Sequence, residues 1–146
     1  MKLRKVEYAD EAACMADVER LSRGCRAGGS WSLPQACFHL SFPIEQTLSN
    51  PEPTGEPNAQ QKQMQGFIDQ VIANGWPAGM NSPKEMSPPP DPGTAAIETL
   101  LASLRNLQGK KSGQVNAFLF GPVETDKLRR FMLIHAAHHL SFFEPA

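Results

Sequence analysis

The chain has 146 residues, with 14 lysines and arginines against 15 aspartates and glutamates and a formal net charge of −1. A length of this order makes one domain, residues 1–146, able to bury roughly 70% of its unfolded surface, and the balanced charge without a basic stretch excludes a nucleic-acid footprint. No run approaches the ~18 apolar residues of a membrane span, and acidic residues interrupt the basic start MKLRKVEYADEAA where a secretory signal needs an apolar stretch, so a cytoplasmic location is expected.

A first helix is expected from about Asp10 to Arg23, with Ala13, Cys14, Val18 and Leu21 inward and Gly24 as its stop. The RAGGS segment that follows reads as a loop. Ser32 and Gln35 then form a capping-box pattern, with Pro34 in the first turn, where its missing N–H costs nothing. The second helix that starts there contains Pro43, whose ring conflicts with the carbonyl of His39, so a kink is expected beside that histidine. Cys14, Cys25 and Cys37 are odd in number and fit neither a disulfide framework nor a zinc knuckle. Reduced thiols are expected, with Cys37 a small buried hydrophobe because positions two apart on a helix point to different sides.

The turn-rich NPEPTGEPN punctuates the chain before a third helix, Ala59 to Asn74, in which Met64, Phe67, Ile68, Val71 and Ile72 recur at helical spacing. GWPAGMNSPKEMSPPPDPG is too dense in proline and glycine to be regular and reads as an extended surface loop of polyproline character. Thr94 is the expected cap of a fourth helix, with Ile97, Leu100, Leu101, Leu104 and Leu107 inward and Gly109 as stop. KKSGQVNAFLFGP reads as a loop with a tight turn at Gly121-Pro122, and a fifth helix is expected from about Glu124 to Phe143. No segment alternates like a half-buried strand. The expected fold is all-α, a bundle of four principal helices with an accessory one.

The stretch FMLIHAAHHLSFF places three of the four histidines in one apolar run. At about 100° per residue, Leu128, Met132, His135, His139 and Phe142 share a stripe, with His135 and His139 about 40° apart at its centre. A spacing of four stacks two imidazoles one above the other, the geometry with which a helical H-E-x-x-H holds zinc. A core reading competes: both rings satisfied by neighbouring backbone or side chains, because an unpaired buried polar group costs about 1–3 kcal/mol. His138 falls roughly 60° or more away, toward the flank that carries Phe131. His39 shares its side of the second helix with Gln35, Phe42 and Gln46, off the apolar centre formed by Leu33, Cys37, Leu40, Ile44 and Leu48. Periodicity leaves it either exposed or facing a polar cleft.

GGSWSLPQACFHL, together with FGPVETDKLRRFMLIHAAHHLSFF near the C-terminus, resembles the DinB-like superfamily of metal-binding proteins. Within it the likeness is to a bacterial branch with W-S-x-x-Q-x-x-x-H early and F-G-x-x…H-x-x-H-H-L late, and it spans nearly the whole chain, including the Pro/Gly-rich loop. The resemblance implies a DinB-like four-helix bundle in which a divalent metal is held by His39, His135 and His139, and it implies a homodimer. Three imidazoles suit zinc or nickel first, with iron or copper compatible, and leave a coordination position for water or substrate.

The expected function is a divalent-metal-dependent enzyme of hydrolase or thiol S-transferase type, acting on a small molecule such as a low-molecular-weight thiol, the thiol coming from the resemblance. The competing expectation is a non-enzymatic helical protein, ligand-binding or stress-related, that keeps the cleft with or without metal. His138 is a candidate for orienting a ligand or moving protons, or is a flank residue packed beside Phe131. Gln35 lines the same cleft or only caps its helix. Trp31 reads as a packing anchor, and Glu45 and Glu144 face solvent.

Overall fold

Asp10 opens the first helix: its carboxylate accepts the N–H of Ala13 at 2.9 Å, leaving α1 to run Glu11–Ser22 with Cys14, Val18 and Leu21 buried. The computed structural model describes residues 3–146, so Met1 and Lys2 of the basic start lie outside the described residues. The second helix, α2, runs Leu33–Ser49 behind a complete Ser32–Gln35 capping box and continues past Pro43. A second capping box, Asn58 with Gln61, starts α3, Ala59–Asn74, which Gly75 closes at a φ of +85° that favours glycine. The fourth helix, α4, spans Ala95–Gln108, but the Thr94 side chain makes no capping hydrogen bond, contrary to expectation. The fifth helix, α5, spans Thr125–Leu140.

The expectation of an all-α four-helix bundle is overturned. Four short strands pair into two antiparallel two-stranded sheets, which makes the fold mixed α/β. In the first sheet β1, Cys25–Ala27, pairs with β4, Phe143–Pro145, matching Cys25 to Pro145 and Ala27 to Phe143. In the second, β2, Gln114–Ala117, pairs with β3, Gly121–Glu124, matching Val115 to Val123. Strands of three or four residues are too short for a period-2 pattern to stand out, and β1 has its partner at the far end of the chain. The expected turn at Gly121-Pro122 is also displaced: those residues lie in β3. Phe118, Leu119 and Phe120 make the turn, with Leu119 at φ +74°, a left-handed conformation that turn chemistry assigns to glycine or asparagine. Likewise α5 stops at Leu140, three residues before the expected end, because Phe143 enters β4.

The helices pack α2 along α4, α1 against α4 and α5, and α3 against α5. Their core contains Leu40, Leu100, Leu104 and Leu128, each at most 1% exposed. A buried ion pair ties α1 to α5: Arg129 donates to both oxygens of Glu11, at 2.8 and 2.7 Å, and Glu11 is 0% exposed. Two polar side chains fasten the β2–β3 hairpin. Thr47 of α2 donates to the Pro43 carbonyl and accepts the Phe118 N–H at 3.0 Å, while Gln65 of α3 donates to the carbonyls of Phe120 and Pro122. The other sheet sets the approach to α2: the Gly28 N–H donates to the Phe142 carbonyl at 2.8 Å, so the segment leading to Trp31 lies beside the end of α5.

Among the described residues, no helix is long and apolar enough to cross a membrane.

Candidate metal centre

In the second turn of α2 and the last two turns of α5, three imidazoles converge. His39, His135 and His139 each offer a ring nitrogen, and these atoms all lie within 4.8 Å of one another. The ring centroids stand 4.9 Å apart for His39 and His135, 4.5 Å for His39 and His139, and 4.8 Å for His135 and His139. His39 and His135 are buried at 2% and 3% exposure, which settles the direction that periodicity left open for His39. The reason is that α2 is covered on two sides. Leu33, Ala36, Cys37, Leu40 and Ile44 are buried in the core, while the flank carrying His39 faces α5 and the segment around Met86.

A hydrogen bond fixes the tautomer of His39. Its Nδ1 lies 3.1 Å from the Met86 carbonyl, which only accepts, so Nδ1 carries the proton and Nε2 carries the lone pair. That Nε2 stands 3.1 Å from Nε2 of His135. Two such nitrogens hold either one proton between them or, when both are bare, a cation. Zinc–nitrogen bonds of about 2.0–2.1 Å place tetrahedral donors roughly 3.3 Å apart, so the pair already stands near ligand spacing.

Burial also keeps the cluster uncharged. It pushes the His39 pKa below its ordinary value, outweighing the Met86 hydrogen bond. His135 is driven well below, by burial first and then by His139, His39 and His138. For His139, burial followed by the charges His39 and His138 would carry lowers the pKa to about 3. Neutral imidazoles with free lone pairs are the form in which histidine ligates metals. The three-histidine group can therefore hold a metal ion.

Both tryptophans of the chain brace these rings. Trp31 lies 4.8 Å from His39 and stacks on His139 at 5.4 Å, and Trp76 stacks on His135 at 4.4 Å. Trp31 thus shapes the site as well as anchoring its helix. His138 stays outside the ligand group, half-buried, its ring 4.8 Å from His139, 6.2 Å from Trp76 and 5.7 Å from Phe142.

Gln35 is not at the centre. Its Oε1 accepts the Ser32 N–H, and its Nε2 donates to the carbonyls of Pro89 and Pro90, which fastens the proline-rich segment to the start of α2. Glu45 and Glu144 are exposed, Glu144 in an ion pair with Arg26. Cys14 and Cys37 are buried, and burial pushes the Cys37 thiol up to about 12, as suits packing rather than reactivity.

The triad opens on a cavity of ≈ 980 Å³. Its walls are Trp31, Pro43, Met64, Phe67, Trp76, Met80, Met86, Phe118, Phe120, Phe131 and Met132 together with all four histidines. Residues 76–87 supply one wall, so the segment expected to be a surface loop is part of the site. A short 3-10 helix, Lys84–Met86, sets the Met86 carbonyl on His39. Sequence reasoning missed Trp76 and Met86, and composition offered no signal for either. A smaller cleft of ≈ 210 Å³, lined by Gly29, Ser30, Phe142 and Phe143, shares Trp31, His138 and His139 as its boundary with the large cavity.

Comparison with curated proteins gave no match, and comparison with solved structures gave none. Residues 1–146 match a family in full, and the chain belongs to that family, described as "Protein of unknown function (DUF1569)".

Proposed function

We propose that His39, His135 and His139 bind one divalent transition-metal ion, and that the protein is a metal-dependent enzyme whose small-molecule substrate occupies the adjoining cavity. The observation that supports this most directly is the His39–His135 pair: one Nε2 has its lone pair fixed by the Met86 hydrogen bond and stands 3.1 Å from the other. A bound divalent ion supplies Lewis acidity, lowering the pKa of a water or thiol toward neutrality, which is the chemistry of hydrolysis and of thiol transfer alike. Zinc or nickel fits the donor set best, with iron and copper compatible. The likeness of the two histidine motifs to the DinB-like superfamily agrees with this ligand set.

The chain's own residues have distinct parts in this reading. His39 is oriented by Met86, and the tryptophans hold the other two rings while excluding water from their faces. His138 borders both the large cavity and the small cleft, so its imidazole is placed to carry a proton between the reacting molecule and solvent. No Asp or Glu is among the described residues lining the cavity, which leaves His138 as the candidate base.

That same lack of a carboxylate base favours a second reading, a binding protein that keeps the metal and cavity without turnover. Elemental analysis of protein incubated with zinc or nickel and then desalted tests the metal: about one equivalent per chain is expected, and less than a small fraction of an equivalent of any transition metal contradicts it. Hydrolysis of activated esters or amides, or metal-dependent consumption of a low-molecular-weight thiol, then separates enzyme from binder.

A further inference from the structure

The cavity wall is built from an unusual share of the chain's large apolar side chains. Both tryptophans, four of the six methionines (Met64, Met80, Met86 and Met132) and four of the eight phenylalanines face it. Thioethers on flexible stems adapt to irregular apolar shapes, and aromatic rings give flat contact area. A volume of ≈ 980 Å³ lies at the upper end for small-molecule sites. A small polar substrate would leave most of that wall in water.

Charge makes the second half of the case. Among the described residues lining the cavity, none is acidic, and Lys84 is the sole charged one. Three imidazoles bind a divalent ion as neutral donors, so they leave its two positive charges without a compensating protein group beside the cavity. An uncompensated charge in a low-dielectric setting is costly unless a counter-charge accompanies it. In this site the counter-charge comes from what occupies the open coordination position, hydroxide in the empty cavity or an anionic head that displaces it.

From wall and charge together, the geometry points to a ligand with a largely apolar body and a single anionic, metal-coordinating head, such as a carboxylate or thiolate, its body lying along the methionine and aromatic wall. The head-group half rests on the metal reading proposed above, and the apolar-body half stands on the cavity alone.

Because both tryptophans touch the triad, their fluorescence reads occupancy directly. Full-length protein, zinc-loaded and metal-free with the zinc content measured on each sample, is titrated with octanoate, 1-octanethiol, 1-octanol and octylamine. The zinc-loaded protein is expected to bind octanoate or octanethiol about tenfold or more tightly than octanol and octylamine, and the preference is expected to disappear in the metal-free protein, which still binds octanol. Lys84→Glu, at an exposed position on the cavity wall, is expected to weaken octanoate several-fold more than it weakens octanol. Equal binding of anion and alcohol by zinc-loaded protein, or tightest binding of the amine, overturns the head-group assignment. No binding of any octyl compound in either form overturns the apolar body. A sample that takes up no zinc defeats the metal reading and the head-group half with it, while the octanol titration still decides the body.

Discussion

His39 holds its Nδ1 proton toward the Met86 carbonyl and turns the remaining lone pair on His135, so the pairing of these residues sets what replacing each should do. Replacing His135 or His139 by Ala is expected to abolish tight metal binding, measured by titration with cobalt(II) and its visible absorption. His138 stands outside the ligand group, and His138→Ala is expected to weaken binding only about 10–100-fold, as for a residue that orients a ligand. Equal losses at all three positions would place His138 among the ligands.

Burial of the same rings also predicts a pH dependence for the metal-free protein. Folded-state pKa values lie below the ordinary histidine value, to about 3 for His139, so between pH 6.5 and that value the unfolded chain binds protons that the folded chain refuses. Stability is therefore unaffected by these groups above pH 6.5 and falls as the pH drops below it, by up to about 1.4 kcal/mol per pH unit for each imidazole held neutral. Denaturation curves of chelator-treated protein at pH 7.5, 6 and 5 check this, and His135→Leu is expected to flatten the slope. A stability independent of pH over that range would mean that the rings protonate as freely in the fold as outside it.

At the scale of elements, the proline-rich segment is held to α2 by two clasps: Gln35 on the Pro89 and Pro90 carbonyls, and His39 on Met86. Gln35→Ala removes both the first clasp and half of the capping box, at an expected cost of about 1 kcal/mol. Hydrogen exchange over residues 84–91 should accelerate in that variant; unchanged exchange would mean that Met86 alone keeps the wall in place. The first three helices are legible in the chain from the spacing of their apolar residues and, for α2, from the Ser32–Gln35 box; the Asp10 cap and the Asn58–Gln61 box are local start signals that the structure adds. The strands are not. The hairpin turns on Leu119 in a glycine-like conformation while the glycine-proline pair sits inside β3, and β1 pairs with a segment more than a hundred residues away. For the centre, the spacing of four on α5 is readable as one shared face, whereas His39 depends on a wall that only tertiary packing assembles.

Taken whole, the molecule closes its two ends on each other around the centre. The β1–β4 pair joins the approach to α2 with the exit from α5, and Arg4 donates to the Leu140 carbonyl at 2.9 Å while pairing with both oxygens of Asp17. For Asp17, burial alone would raise the pKa, but hydrogen bonds from Arg4 and Tyr8, with the Arg4 charge, hold the carboxylate below its usual range. The Glu11–Arg129 pair fixes α5 from its other half. Glu11→Ala strands the Arg129 guanidinium and is expected to cost about 3 kcal/mol in denaturant unfolding; a loss under about 1 kcal/mol would show that solvent at Arg129 replaces the pair. Helix positions, sheet pairing and ion pairs all converge on one arrangement, His39 of α2 brought against His135 and His139 of α5.

Anomalous diffraction at the zinc edge from crystals grown with zinc tests that arrangement most directly. A single strong peak is expected about 2.0–2.1 Å from a ring nitrogen of each of His39, His135 and His139. A peak elsewhere on the molecule, or none at the triad despite zinc in the crystal, would contradict it.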